Sequence, residues 1–204
     1  MYCILITGIP AAGKGTMASI LASKLNIPEI SKDRIKEYLY DELGFSSRQE
    51  KVKLGNASMH ILYYVAENLM RVNKPFILEN NFENVSRDGI LNLLEKYSYT
   101  AITISLTGDY GKIYQRFLER NVSPDRHRGH VVNDQYPEMQ TRTIDELKAA
   151  APSYEDFVNA IAERGMDRFC ANGPQITVDV TDFAQIDYDE IVSQIREMIQ
   201  DGLV

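Results

Sequence analysis

The chain has 204 residues, 44% of them hydrophobic, with 22 Lys and Arg against 29 Asp and Glu, a net charge of −7. This is enough for one good core, and residues 1–204 read as a single domain. The acidic balance argues against nucleic acid as the main partner, although a small positive cleft fits inside an acidic protein.

In chain order, residues 2–7 read as a buried strand that includes Cys3. Gly8-Ile9-Pro10-Ala11-Ala12-Gly13-Lys14-Gly15-Thr16 follows directly. The spacing of Gly8 and Gly13 curls the backbone so that successive N–H groups face one anion. Lys14 adds a mobile positive charge, and the following helix aims its positive dipole end at the same spot. Gly8, Ala11, Ala12, Gly13, Lys14, Gly15 and Thr16 are therefore predicted to bind the phosphates of a nucleoside triphosphate. The strict pattern puts Ser or Thr immediately after the lysine, where the hydroxyl reaches Mg²⁺. Here that position is Gly15, so Thr16 is expected on metal or phosphate, with direct ligation left open.

The helix beyond uses Met17, Ile20, Leu21 and Leu25 as its apolar face, and Pro28 to Ser31 forms a short strand. Helices are predicted from Asp33 to Leu43, stopped by Gly44, and from Ser47 to Val72, where Gly55 marks close packing or room for a ligand. Strands at 75–79, 101–107 and 175–180 alternate with helices at 85–97, 109–121, 136–149, 154–165 and 187–200. Such alternation implies a three-layer α/β fold, a five-stranded parallel sheet flanked by helices, with its site at the carboxyl ends of the strands. Residues 121–134, polar and rich in Arg and His, read as a mobile lid. Residues 150–173 extend that lid or cover part of the pocket. Cys3 and Cys170 make no disulfide framework. With neither a signal-peptide pattern nor a bilayer-length apolar run, a cytoplasmic chain without a membrane partner is expected.

Asp33 opens a helix at a strand's carboxyl end, where a carboxylate orients an acceptor hydroxyl and takes its proton. The competing account is that Ser31 or Asp33 merely caps the helix. Arg34 steers an anionic acceptor or is an exposed first-turn residue. Glu79 ends the strand beside the phosphate loop, a position for the magnesium shell, and Asn80 and Asn81 are acceptor contacts or ordinary turn residues. Arg116 and Arg120 share a helix face, and Arg126 and Arg128 follow in the lid. Guanidinium groups arriving with a lid stabilise transferring phosphoryl oxygens, and the alternative is a solvated face paired with Glu119 and Asp125. His127 and His130 lack further ligands for a metal site. Thr181 and Asp182 border the nucleotide base or cap a helix.

The Gly-Lys-Gly-Thr end of the loop resembles that of adenylate kinases, in which the metal is held largely through water and the nucleotide phosphates. Together with Ile30-Ser31-Lys32-Asp33-Arg34-Ile35-Lys36, Leu78-Glu79-Asn80-Asn81-Phe82 and Arg126-His127-Arg128-Gly129-His130-Val131, it is similar to the P-loop kinase superfamily. Within it, the resemblance is to the small predicted ATP-binding kinase group related to phage polynucleotide kinase, zeta toxin and chloramphenicol phosphotransferase. It covers most of residues 1–134, and that group's lid usually has Pro where this chain has Arg128. Adenylate kinase itself fits poorly, because Glu79-Asn80-Asn81-Phe82-Glu83 lacks the arginine that grips a nucleoside monophosphate. The resemblance implies an ATP- and Mg²⁺-dependent phosphotransferase acting on a hydroxyl of a small molecule. Lys14 would lie on the transferred phosphate, Asp33 would be the base, and lid arginines including Arg120 and Arg126 would close over the triphosphate. A polynucleotide 5′-hydroxyl kinase and a non-catalytic nucleotide-binding switch are the alternatives, and the sequence gives no oligomeric state.

Overall fold

A computed structural model describes all 204 residues. The first strand, β1 (Tyr2–Gly8), is apolar at every position from Cys3 to Ile6 because it is covered on both faces. Cys3 and Leu5 point into one apolar cluster, and Ile4 and Ile6 into another on the opposite side. Helix α1 (Lys14–Leu25) follows, then β2 (Glu29–Ser31), α2 (Lys32–Leu43) and the long α3 (Arg48–Arg71). The chain continues through β3 (Ile77–Glu79), α4 (Asn84–Tyr97), β4 (Thr100–Thr107) and α5 (Tyr110–Val122). Short α6 (Arg128–Val131) and α7 (Ile144–Ala149) precede α8 (Tyr154–Arg164), β5 (Gln175–Asp179) and α9 (Tyr188–Gln200).

The strands form one parallel sheet in the order β2-β3-β1-β4-β5. β1 is central, and the next strand in sequence, β2, lies on one side of it while β4 and β5 lie on the other. The crevice at the carboxyl end of β1 is thus the natural ligand site of an open α/β sheet. One cluster joins α1, α5, α8 and α9 to the sheet, and the other joins α3 and α4 to its opposite face, giving three layers. No helix is long and apolar enough to cross a membrane.

Two expectations of the chain's elements need correction, and of the two accounts of Gly55 close packing falls away. The helix expected over 136–149 is confined to α7, because Pro137 lacks an N–H and Tyr136 is drawn into an antiparallel bridge with Phe45. Gly55 has no close packing to explain it, since a Cβ there would meet nothing nearer than Lys36 Cδ at 4.0 Å. Residues 150–173 neither extend the lid nor line the main cleft; α8 packs beside α5. The arginine-rich segment after α5 is docked on α2 and α3 around a small cluster of Tyr40, Phe45 and Val132. There the Lys51 ammonium of α3 donates to the carbonyls of His130 (3.0 Å) and Val132 (2.5 Å) and to Asn133 Oδ1 (3.0 Å).

Gly8, where β1 turns into the loop, has φ +141°, and a Cβ would stand 2.6 Å from the carbonyl oxygen of Leu106. Neither the neighbouring strand nor the loop can yield cheaply. Gly8→Ala is expected to lower stability by roughly 2 kcal/mol or more, read from denaturant or thermal unfolding.

Candidate functional site

The loop between β1 and α1 takes its shape from backbone that leaves the right-handed regions. Ala11 has φ +66° and Gly13 φ +84°, and Gly13 caps α1 without any side-chain hydrogen bond. The amides of the first turn of α1 are therefore free, as at any helix start, and the dipole adds a positive potential. Lys14 is nine-tenths buried beneath them. Its ammonium donates to the carbonyls of Gly8 (2.9 Å) and Ile9 (3.0 Å), which tether the charge to the loop itself. Burial lowers its pKa, while the carboxylates of Glu79 and Asp33 oppose that fall.

This loop forms one end of a cleft of about 850 Å³. Of the residues predicted to act, Ala11, Gly13, Lys14, Gly15, Thr16, Asp33, Glu79, Arg116, Arg120 and Arg126 line it together. Gly8 and Ala12 support the loop from behind. Arg128 does not reach the cleft, because Glu138 holds its guanidinium by two bonds of 2.7 and 2.9 Å. The expectation that it contacts nucleotide is corrected accordingly. Arg34 reaches the cleft from an exposed position, whereas Asn80 and Asn81 turn toward the sulfurs of Met59 and Met166. Asp182 caps a short 3-10 turn through the Ala184 amide (3.0 Å), and Thr181 Oγ1 accepts from the Asp109 amide (2.8 Å), so both have structural partners.

The ambiguity at the start of α2 is resolved by Ser31. Its hydroxyl accepts the Arg34 amide (3.4 Å) as the cap and donates to Glu79 Oε2 (2.6 Å). Asp33 is thereby free of capping duty. Lys36 is its nearest cation at 3.5 Å, and about half of its side chain (48%) is open to the cleft. Burial alone would raise its pKa, but Lys36, His130, Arg126 and Lys14 together outweigh it and hold the carboxyl well below the usual carboxylate range. Glu79 differs. It is only 6% exposed, and burial pushes its pKa up against the pull of Lys14. The paired Glu79 and Ser31, with Thr16 lining the same cleft, are oxygen donors of the kind that suits a hard cation such as Mg²⁺ reached through water.

Three arginines carry the opposite charge. Arg116 Nε and Nη1, Arg120 Nε and Arg126 Nε are buried without a hydrogen-bond partner. Leaving cationic donors unpaired is costly, so these positions fit a polyanion. Burial lowers the pKa of all three, that of Arg120 to about 10 with help from Arg126. Arg116 is fixed by a bond from Nη2 to the Val180 carbonyl (2.6 Å) and lies 4.0 Å from the ring centre of Phe183, which also borders Gly13. Sequence reasoning missed Phe183, the Ser31–Glu79 bond, and Glu29 and Ser19 at the cleft edge. Phe183 had a signal, a lone aromatic just past the last strand, but nothing local says which way it faces.

The histidines brace the lid. His127 Nε2 meets Asp41 Oδ1 at 3.0 Å while its Nδ1 accepts the Gly129 amide, and His130 Nε2 meets Glu37 Oε1 at 2.9 Å.

A model of the AAA domain matches residues 4–144, more than half of the chain, and the chain belongs to that family. It is a protein of the P-loop NTPase and kinase-like superfamily, structurally related to small-molecule kinases. A candidate kinase from Chloroflexus aurantiacus J-10-fl is 26% identical at a TM-score of 0.71, over 98% of this chain and 97% of that one. A sugar kinase from Janibacter sp. HTCC2649 (10% identity, TM-score 0.54, 100% and 96% covered) shares the fold. So does shikimate kinase from Bacteroides thetaiotaomicron (16%, 0.51, 98% and 98%). A search of curated proteins finds no relative of this chain.

Burial draws the His130 pKa down from 6.5 to about 4, although Glu37 and Asp33 pull the other way. The folded protein then keeps His130 neutral where the unfolded chain protonates it. Its contribution is complete above pH 6.5 and is lost as pH falls toward about 4, a change of about 3 kcal/mol. His130→Gln should flatten the dependence of unfolding free energy on pH across that window, measured by denaturant titration at successive pH values.

Proposed function

We propose that this chain is an ATP-dependent phosphotransferase that moves the γ-phosphate to a hydroxyl of a small-molecule acceptor. The observation that carries the reading is one cleft holding the phosphate-loop ammonium, three arginines with unpaired buried donors, and a carboxylate free of capping duty. Phosphoryl transfer needs little covalent help, so positioning and charge stabilisation suffice for catalysis. The group's resemblance to small kinases related to polynucleotide kinase, zeta toxin and chloramphenicol phosphotransferase supports the same chemistry, and ATP is the proposed donor.

In this reading the amides of Ala11 and of Gly13 to Thr16 hold the β- and γ-phosphates, the Ala12 amide being taken by the Ile9 carbonyl (3.2 Å), and Lys14 follows the transferred group as its charge spreads. Arg120 and Arg126 stabilise the equatorial oxygens, and Arg116, fixed by Val180, holds the nucleotide from the far side. Glu79 and Thr16 would hold Mg²⁺ through water, and the ion when bound neutralises charge on the phosphate oxygens. Asp33 is ionised at neutral pH. Its low pKa makes it a weak base, suited to orient the acceptor hydroxyl and take the proton late, when bonding to phosphorus is already advanced. A sensor that only binds nucleotide has no use for such a group.

Transfer of labelled γ-phosphate from ATP and GTP to sugars, nucleosides, antibiotics and short oligonucleotides tests the reading; no product in any class would refute it. Asp33→Ala is expected to abolish transfer while ATP affinity by calorimetry stays within a few-fold. Lys14→Ala should slow transfer by about 10²-fold or more, as expected for loss of a preorganised charge in a water-poor site.

A further inference from the structure

Helix α8 lies outside the cleft but touches both of its walls. One flank packs on α5, the helix that carries Arg116 and Arg120. Phe157 lies 5.1 Å from Phe117 and 5.4 Å from Tyr114 between ring centres, and Tyr154 lies 5.4 Å from Tyr114. Tyr114 also donates its hydroxyl to the Pro152 carbonyl (2.8 Å), just before α8 begins. The opposite end grips the loop that follows Glu79. Arg164, the last residue of α8, holds the Glu83 carboxylate by two bonds of 2.7 and 2.5 Å.

Glu83 is buried, and so is Phe82, whose φ of +46° is rare for a bulky side chain. Phe82 is held there by Phe169, stacked at 4.6 Å, five residues beyond the end of α8. Asn84 donates to the Glu163 carbonyl (3.1 Å), and Asn81 to the Met166 sulfur (3.6 Å). Every residue from Asn81 to Asn84 is thus in contact with the carboxyl end of α8 or the turn after it. Glu83 and Arg164 also lie within electrostatic reach of Lys32, the neighbour of Asp33.

We propose that α8 is a strut that fixes the loop leaving Glu79, residues 81–84, relative to the helix carrying Arg116 and Arg120, with Arg164 as its positioning residue. The inference rests on the kinase reading above. Transfer of a phosphoryl group requires metal-side and arginine-side charges at one separation, and these lie at the end of β3 and after β4, the strands on either side of β1. A bidentate guanidinium–carboxylate pair fixes both distance and angle, which a lysine would not. β1 holds only the start of this loop, where the Asn80 amide donates to the Ile6 carbonyl (3.2 Å) and the Thr7 hydroxyl to the Asn81 carbonyl (3.1 Å), while Phe82 with its positive φ and Glu83 meet Phe169 and Arg164 instead.

The test follows hydrolysis of Mg·ATP to ADP and phosphate, with water as acceptor, beside calorimetric binding of Mg·AMP-PNP. Arg164→Ala is expected to lower kcat at least tenfold with the analogue's Kd within threefold, and Arg164→Lys to recover part of the loss. Phe169→Leu keeps apolar bulk but loses the stack. It should move kcat in the same direction, and it decides the matter alone where Arg164→Ala does not fold. Wild-type kcat in the variants, or a fall in kcat matched by an equal loss of analogue affinity, would overturn the strut. Where water is turned over too slowly, hydrogen exchange of the Asn80–Glu83 amides in the Mg·AMP-PNP complex is the readout: faster exchange in the variant supports the strut and unchanged exchange overturns it. A wild-type protein that does not bind Mg·AMP-PNP refutes the kinase reading itself and takes the strut with it. Binding and turnover that ignore Arg164 refute the strut alone.

Discussion

The Lys14 ammonium, tied to the carbonyls of Gly8 and Ile9 within its own loop, is the constraint on which the rest of the molecule depends. A buried cation is unfavourable unless carbonyl dipoles and carboxylates offset its lost hydration. Glu79 and Asp33 supply part of that offset from β3 and α2, the side where β2 is paired. The same two acids partly balance Arg120 and Arg126. A chain of net charge −7 thus holds a cleft lined by arginines as well as acids. The balance within the cleft is incomplete, and the unpaired donors on Arg116, Arg120 and Arg126 are where it falls short.

Most of the fold was legible in the sequence, and the reason is local. Cys3 to Ile6 had to be covered on two faces, Gly44 had to stop α2, and Gly8 to Thr16 could only join a strand to a helix around an anion. The cleft was legible where spacing alone decides, as at Lys14, or at Arg116 and Arg120 on one helix face. It was not legible where a tertiary partner decides. Arg128 and Arg126 stand two residues apart in the same polar run, yet Glu138 claims one and the cleft receives the other. Nothing near Arg128 in sequence announces Glu138 as its partner. Ser31 and Asp33 were equally plausible caps, and Glu79, distant in sequence, tipped the choice by drawing Ser31 into a shared hydrogen bond.

The region read as a mobile lid has a different mechanical character. Lys51 ties it to α3, while His127, His130 and Tyr136 tie it to Asp41 and Glu37 of α2. Tyr40 packs between these tethers, and a Cβ on Gly129 would lie 2.4 Å from its ring. The arginine loop is therefore joined to the helices that border the proposed acceptor side.

The family match ends at residue 144, where α7 begins, so β5, α8 and α9 lie beyond the matched segment. The beginning of the cleft belongs to the shared part: loop, Asp33, Glu79, Arg116, Arg120 and Arg126 all precede that boundary. Phe183, which borders Gly13 and faces Arg116, comes after it, and so does Arg164. Residues before the boundary supply the loop, the acids and the arginines of the cleft, and Phe183 and Arg164 contact that part of the chain from beyond it. A sheet edge strand such as β5 can vary with little effect on β1, because β4 separates them. The distance between the arginine helix and the loop after Glu79 is set differently, since α8 contacts both. The part of the chain beyond the family match thus supplies two contacts, Phe183 against Arg116 and Arg164 on Glu83, and α8 is the element that meets both sides of β1.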